Sequence, residues 1–298
     1  MAHTWSPEQY LRFEDERARP FLELTSRIGA EAPRTVADLG AGPGTQTALL
    51  ARRWPQAEVL AVDSSPEMIA RAETVPGVRA EHGDLRDWEP EAPVDVLVTN
   101  AALRWLRAHL DLLPVLAPLL APGGWFAMQV PGNFDEPSHA LRRELAAEEP
   151  YAEHLHHIAS PASHDAAAYL AALQQQGLEV DAWETTYLHV LHGPDPVFEW
   201  VSGTGARPTL HALPLVLREQ FATEFKARLR AAYPDSGRGV VLPFRRVFAV
   251  GPPEPDAGEG AQPSGTVART SWRGPPERPC PSTELTSSSS VACQVGPR

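Results

Sequence analysis

A glycine-rich turn between a strand and a helix constrains this chain more than any other feature. Asp38-Leu39-Gly40-Ala41-Gly42-Pro43-Gly44 follows the short strand Val36 to Leu39 and precedes a helical stretch, Gln46 to Trp54, that ends before Pro55. Glycines at such a turn let the backbone bend sharply and approach a ligand with no Cβ in the way. The spacing is Gly-x-Gly-x-Gly, and Thr45 stands where the dinucleotide fingerprint would place its third glycine. The turn therefore suits a ligand lying against the backbone rather than a pyrophosphate seated on the helix end. Asp63 closes the next strand, Val59 to Asp63, about twenty residues further on.

Strand and helix signals alternate from there. Ser64 or Ser65 caps a helix that has Pro66 and Glu67 in its first turn. Val78 to Glu81 reads as a third strand, Val94 to Val98 as a fourth, and Leu110 to Leu120 as partly helical. Gly123-Gly124 then turns into a fifth strand, Trp125 to Val130. Such an alternation implies a parallel sheet with helices on both faces. Ala166 to Gln176 reads as a helix closed by Gly177, and Val180 to Leu191 and Val240 to Val250 as further strands. The expected fold is a doubly wound, seven-stranded, mostly parallel α/β sheet. Ahead of it, residues 7 to 30 form a helical lead-in in which Pro20 starts a new helix.

Two insertions, residues 131–165 after the fifth strand and 193–238 between the sixth and seventh, read as helical lids. Both lie on the side where open α/β sheets bind ligands. Leu217, Phe221, Phe225 and Leu229 recur every four residues in the second, a core-facing stripe. The domain is expected to span residues 1–251. Residues 252–298 are rich in Pro, Gly, Ser and Thr, a composition that reads as a disordered tail.

The net charge of −12 argues against nucleic acid as the main partner, since phosphate binding needs clustered cations. Lys226 is the single lysine, so nearly all positive charge is arginine. Both cysteines, Cys280 and Cys293, fall in the tail, leaving the body without a disulfide, thiolate metal site or cysteine nucleophile. No apolar run approaches the roughly 20 residues that a membrane span needs, and no signal peptide precedes the body. The chain reads as cytoplasmic. His154, His156 and His157 cluster without trusted metal-ligand spacing, and no Gly-x-Ser-x-Gly elbow surrounds Ser138-His139. No metal, membrane or nucleic-acid partner is expected.

The ligand candidates line up along the strand ends. They are the glycine loop (Asp38, Gly40, Ala41, Gly42, Gly44), Asp63 with Ser64 and Met68, Asp84 with Leu85, and Asn100. Asp63 can accept hydrogen bonds from a ribose diol or simply cap the following helix. Asp84 can accept from an exocyclic adenine amine, with Leu85 against the ring, or belong to an ordinary turn. Asn100 ends the fourth strand, where cofactor and substrate meet. Together they fit S-adenosylmethionine: a nucleoside plus an amino acid, with no phosphate.

From about Trp5 to Val250 the chain resembles the trans-aconitate 2-methyltransferase family. The resemblance rests on Tyr10-Leu11-Arg12-Phe13 with Asp15-Glu16-Arg17, Asp38-Leu39-Gly40, Asp63-Ser64-Ser65-Pro66-Glu67-Met68, Gln129-Val130-Pro131-Gly132-Asn133-Phe134 with Pro137-Ser138-His139, Trp183-Glu184-Thr185-Thr186-Tyr187, and Pro243-Phe244-Arg245-Arg246. It implies methyl transfer from S-adenosylmethionine to one carboxylate of trans-aconitate, giving a monomethyl ester. A small acidic partner of that kind calls for arginines. Arg207, Arg245 and Arg246 are the candidates, only one of the last two facing the pocket because neighbours on a strand point oppositely. Tyr10, Asn133, His139, Trp183 and Tyr187 are secondary candidates. No catalytic acid or base is expected, because a carboxylate is already ionised and the reaction reduces to alignment. Three positions depart from the family pattern: Ala41 in place of cysteine, Arg104 in place of glutamine, and Gly205 in place of a larger apolar residue. Two other readings stay open, an O-methyltransferase for another small acid or a hydroxyl, and a non-catalytic S-adenosylmethionine-binding protein.

Overall fold

The computed structural model describes residues 14–106, 108–158 and 161–254. Tyr10, the first residues of the lead-in and residues 255–298 of the expected tail lie outside them.

Seven strands form one sheet in the order β3-β2-β1-β4-β5-β7-β6. They are β1 (Thr35–Leu39), β2 (Glu58–Asp63), β3 (Arg79–His82), β4 (Val94–Asn100), β5 (Leu120–Pro131), β6 (Asp181–Leu191) and β7 (Val240–Gly251). The first five run parallel, and β7 is antiparallel to both β5 and β6. Chain order reverses between β1 and β4. That is the switch point at which an open parallel sheet leaves a crevice outside its carboxyl ends.

Pleating divides the strands between two cores. Val36, Val96, Val98, Ala127, Phe248 and Val250 pack on one face with Phe21 and Leu24 of α1 (Glu14–Ser26). Leu39, Val62, Leu97, Phe126, Met128 and Val247 pack on the other with Tyr169 and Leu173 of α7 (Ala166–Gln174). Strands buried on both faces read as near-continuous apolar runs, which is why β1, β2 and β4 were visible in sequence. The chain remains paired past β7: Glu179 N donates to Pro252 O and Glu254 N to Gly177 O.

Two details correct the expectations. Pro20 lies inside α1 and does not begin a new helix. A proline in a helix interior costs about 3 kcal/mol, and α1 tolerates it because Phe21 and Leu24 beside it are wholly buried. Gly123 and Gly124 lie within β5, not in a turn ahead of it. They absorb a register shift, so that Val94 pairs with Leu120 and Val96 with Trp125.

Between β1 and β5 lie α2 (Thr47–Arg53), α3 (Pro66–Ala72), α4 (Leu113–Leu116) and short 3-10 turns. The first insertion contains α5 (Pro137–Ala146) and α6 (Ala152–Leu155). The second contains α8 (Pro196–Ser202), α9 (Arg207–Ala212) and α10 (Leu215–Ala232). The insertions share a third apolar cluster, in which Leu145, Tyr151 and Leu155 meet Trp200, Phe221, Phe225 and Leu229. The stripe on α10 is thus core, with Leu217 at its edge.

Candidate active site

A cavity of about 440 Å³ opens at the β1/β4 switch point. Its size lies within the roughly 300–1,000 Å³ usual for small-molecule sites. Gly40 and Gly42 follow β1, Asp63 ends β2 with Ser64 and Met68 after it, Asp84 and Leu85 follow β3, and Asn100 ends β4. All of them line the cavity.

The glycine turn is built on positive φ angles: +76° at Gly40, +59° at Gly42 and +75° at Gly44. The turn is tied to β2, since Gly40 N and Ala41 N both donate to Val62 O. A Cβ on Gly40 would stand 2.3 Å from Ala102 Cβ, so that glycine is needed for close packing. A Cβ on Gly42 would meet nothing within 4 Å, which leaves bare backbone facing open space. Gly44 packs against Ala72 and is not on the wall; Ala41 is not on it either. Asp38 lies beneath the turn, where it accepts from Thr47 Oγ1 at 2.7 Å. Burial pushes its carboxyl up to about 7, and the charge of Asp63 adds to the rise.

Asp63 accepts from Gly42 N and from Ser65 N, each at 2.9 Å. It ties the loop to the start of α3, and Ser65 caps that helix through Met68 N. A carboxylate has about four acceptor positions, so roughly two remain for a ligand. Asp84 is gripped by Arg86 through its side chain and backbone, and the guanidinium holds its carboxyl below the usual range. Asn100 donates to Gln46 Oε1 at 2.6 Å, while its buried Oδ1 has no partner among the described residues. Next to it, Ala101 adopts φ +59° and donates to Gln129 O. This left-handed residue turns the chain so that Ala102, Arg104, Trp105 and Leu106 form the next stretch of wall. Thr204, Arg207 and Pro208 of the second insertion complete it.

Charged side chains stand on both sides of the cavity. Asp63 and Asp84 stand on the β2–β3 side, whereas Arg104 and Arg207 stand on the β4 and insertion side, with Arg86 beside Asp84.

A family model described as a methyltransferase domain matches residues 10–182. A trans-aconitate 2-methyltransferase of Streptomyces avermitilis is 50% identical over 261 residues, covering 83% of this chain and 96% of that protein. One from Streptomyces coelicolor is 49% identical, covering 84% and 86%. The chain belongs to the trans-aconitate 2-methyltransferase family. The YcgJ protein from Bacillus subtilis, 15% identical with a TM-score of 0.51 over 80% of this chain and 99% of that one, shares the fold.

Against that family, the acceptor candidates divide. Arg207 lines the cavity; Arg245, Arg246, Asn133, His139, Trp183 and Tyr187 do not. Arg245 and Arg246 do point oppositely, but neither guanidinium reaches the wall. Arg245 Nε binds Glu184 Oε2 at 2.7 Å and Nη1 binds Gly132 O at 3.1 Å. Arg246 is buried over the Phe244 ring, 3.4 Å from Gln129 Oε1. Trp183 and Tyr187 lie under α1, where Glu23 accepts from Trp183 Nε1 at 2.9 Å, from Thr185 Oγ1 at 2.5 Å and from the Tyr187 hydroxyl. Trp183 also stacks on Phe248.

Asn133 and His139 are buried in the first insertion. Burial, then the guanidinium groups of Arg142, Arg104 and Arg143, push the His139 imidazole down to about 3, so it is neutral at pH 7. Arg104, which the sequence marked only as a departure from the family pattern, also lines the wall. Its position just after β4 was the available signal. Among the described residues no three His, Cys, Asp or Glu side chains gather to hold a metal, and no helix is long and apolar enough to cross a membrane.

Proposed function

We propose that this protein transfers the methyl group of S-adenosylmethionine to one carboxylate of trans-aconitate, yielding a monomethyl ester and S-adenosylhomocysteine. The lining of the cavity carries the reading. Asp63, Asp84 and the bare backbone of Gly42 suit a nucleoside with no phosphate, and Arg104 and Arg207, from the β4 turn and the second insertion, suit a polyanionic acceptor. The membership of the family points the same way.

The residues present fit the donor. Asp63 keeps acceptor positions for the ribose hydroxyls, Asp84 and Leu85 are suited to the amine and ring of an adenine, and Asn100 Oδ1 awaits a donor. Bound S-adenosylmethionine supplies a methyl group activated on a sulfonium. The chain's own work is then to hold and align. Arg104 and Arg207 grip carboxylates of the acceptor, Arg being suited to bidentate contact. A carboxylate needs no deprotonation at pH 7, so the site needs no general base. His139, neutral and buried, is not required as one. Rate enhancement comes from holding two reactants in line and excluding water.

The test is incubation with methyl-labelled S-adenosylmethionine and, separately, trans-aconitate, cis-aconitate, isocitrate and citrate. Label released by alkali as methanol identifies a methyl ester. Selective signal with trans-aconitate supports the reading. Donor binding without turnover on any acid refutes it in favour of another acceptor or a non-catalytic role.

A further inference from the structure

The two insertions meet along a polar seam behind the cavity wall. α5 presents His139 and Arg142 on one face, three residues apart. Opposite them stand Gly205 and Thr209, which bracket Arg207 in sequence. Arg142 Nη1 donates to Thr209 Oγ1 at 2.6 Å, and the two residues are 3% and 1% exposed. The His139 ring lies so close over Gly205 that a Cβ there would stand 2.5 Å from its Cε1. Phe134 meets the same ring edge-on, at 5.1 Å. Kept neutral by its surroundings, the imidazole fills this space without adding a fourth charge beside Arg104, Arg142 and Arg143.

Arg207 opens α9, a helix of six residues. A helix so short has no stability of its own, and its place is set by what it packs against. Thr209 pins its rotation, and Gly205 sets how closely the preceding turn approaches α5. We propose that Thr209 and Gly205 are positioning residues that set acceptor affinity by seating Arg207. The proposal rests on reading Arg207 as a contact of the acceptor carboxylate. Bidentate recognition tolerates little displacement, and a shift of about 1 Å in a binding group costs up to roughly a hundredfold.

The test uses full-length protein with trans-aconitate as acceptor. Thr209→Val keeps the shape and removes the hydroxyl, whereas Thr209→Ser keeps the hydroxyl. Measured are acceptor KM and kcat, the calorimetric Kd of the donor, and Tm. Thr209→Val should raise acceptor KM about tenfold, with donor Kd within about twofold of wild type. Thr209→Ser should restore KM. Arg207→Ala should itself raise KM, and adding Thr209→Val to it should raise KM no further, the non-additivity expected of residues acting through one group. Gly205→Ala, which thrusts a methyl into His139, should reproduce the KM rise and serves if Thr209→Val fails to fold. An unchanged KM in Thr209→Val or Gly205→Ala, or the same rise in the Arg207→Ala background, overturns the proposal. If Arg207→Ala leaves acceptor KM unchanged, the reading of Arg207 as an acceptor contact falls, and the seam's role falls with it.

Discussion

Replacing Asp38 with asparagine should make this protein more stable, and increasingly so as pH rises. Asp38 sits at the end of β1 beneath the glycine turn, 2% exposed, with Thr47 Oγ1 donating to it. Burial raises its carboxyl from an ordinary 3.8 to about 7, despite that hydrogen bond. Between these values the folded protein keeps a proton that the unfolded chain has lost. Stability therefore falls as pH rises through this window, by about 1.4 kcal/mol per pH unit and about 4 kcal/mol in all. Above about pH 7 both states are ionised at this residue, and its contribution is level.

The substituted asparagine would keep an acceptor for Thr47 and cannot ionise. The difference in unfolding free energy between Asp38→Asn and wild type should thus widen by about 4 kcal/mol from about pH 4 to about pH 8. Urea titrations at unit intervals of pH measure it, with equal m values required of the two proteins. A difference constant to within about 0.5 kcal/mol across the range would mean that Asp38 titrates normally in the fold, and the burial argument would fail. Asp63→Asn provides an internal check. Its charge contributes to the rise at Asp38, so removing it should lower the pH at which the difference levels off.

Asp63→Asn should also weaken donor binding about tenfold or more by calorimetry, the loss of one charge-assisted hydrogen bond; an unchanged Kd would leave Asp63 as a tie between the glycine turn and α3 alone. Gly40→Ala should lower stability by about 2–3 kcal/mol, because its Cβ meets Ala102 at 2.3 Å on a backbone at φ +76°. Gly42→Ala should cost only about 1 kcal/mol and act mainly on donor affinity; a lower Tm for Gly42→Ala than for Gly40→Ala would contradict this. Glu23→Ala should destabilise by about 2 kcal/mol, because Trp183, Thr185 and Tyr187 lose their shared acceptor. Acceptor KM should not move, and a raised KM would draw β6 into the site.

The glycine-turn side of the cavity was legible in sequence because its signals are local. The turn after β1, the carboxylate closing β2 and the Ser65 cap of α3 each lie within a few residues of the strand that aims them. The sheet's parallel core was legible for the same reason. The insertion of β7 between β5 and β6 was not, because antiparallel pairings such as Gln129 with Phe248 join residues far apart in the chain. Pro20 misled because the local rule for proline was outweighed by burial of its neighbours. Gly123 and Gly124 misled because a bulge within a strand and a turn before one demand the same residues.

The rest of the cavity wall is assembled from the turn after β4 and the second insertion, braced by the first, and its residues take their meaning from partners distant in sequence. Alternation along β7 correctly separated Arg245 from Arg246. What claims each of them, Glu184 on β6 and Gln129 on β5, follows only from strand pairing. Trp183 and Tyr187 are held by a carboxylate about 160 residues earlier. Arg104 reaches the cavity because Ala101 adopts a left-handed conformation, which no glycine or asparagine announces. Arg207 stands on the wall beside a glycine that must stay small for His139. If Arg104 and Arg207 grip the acceptor, changes at Arg104, Gly205 or Thr209 alter its binding while the glycine-turn side of the cavity is untouched. The glycine turn is therefore a weak guide to the acceptor, and the residues that seat the two arginines are the better one.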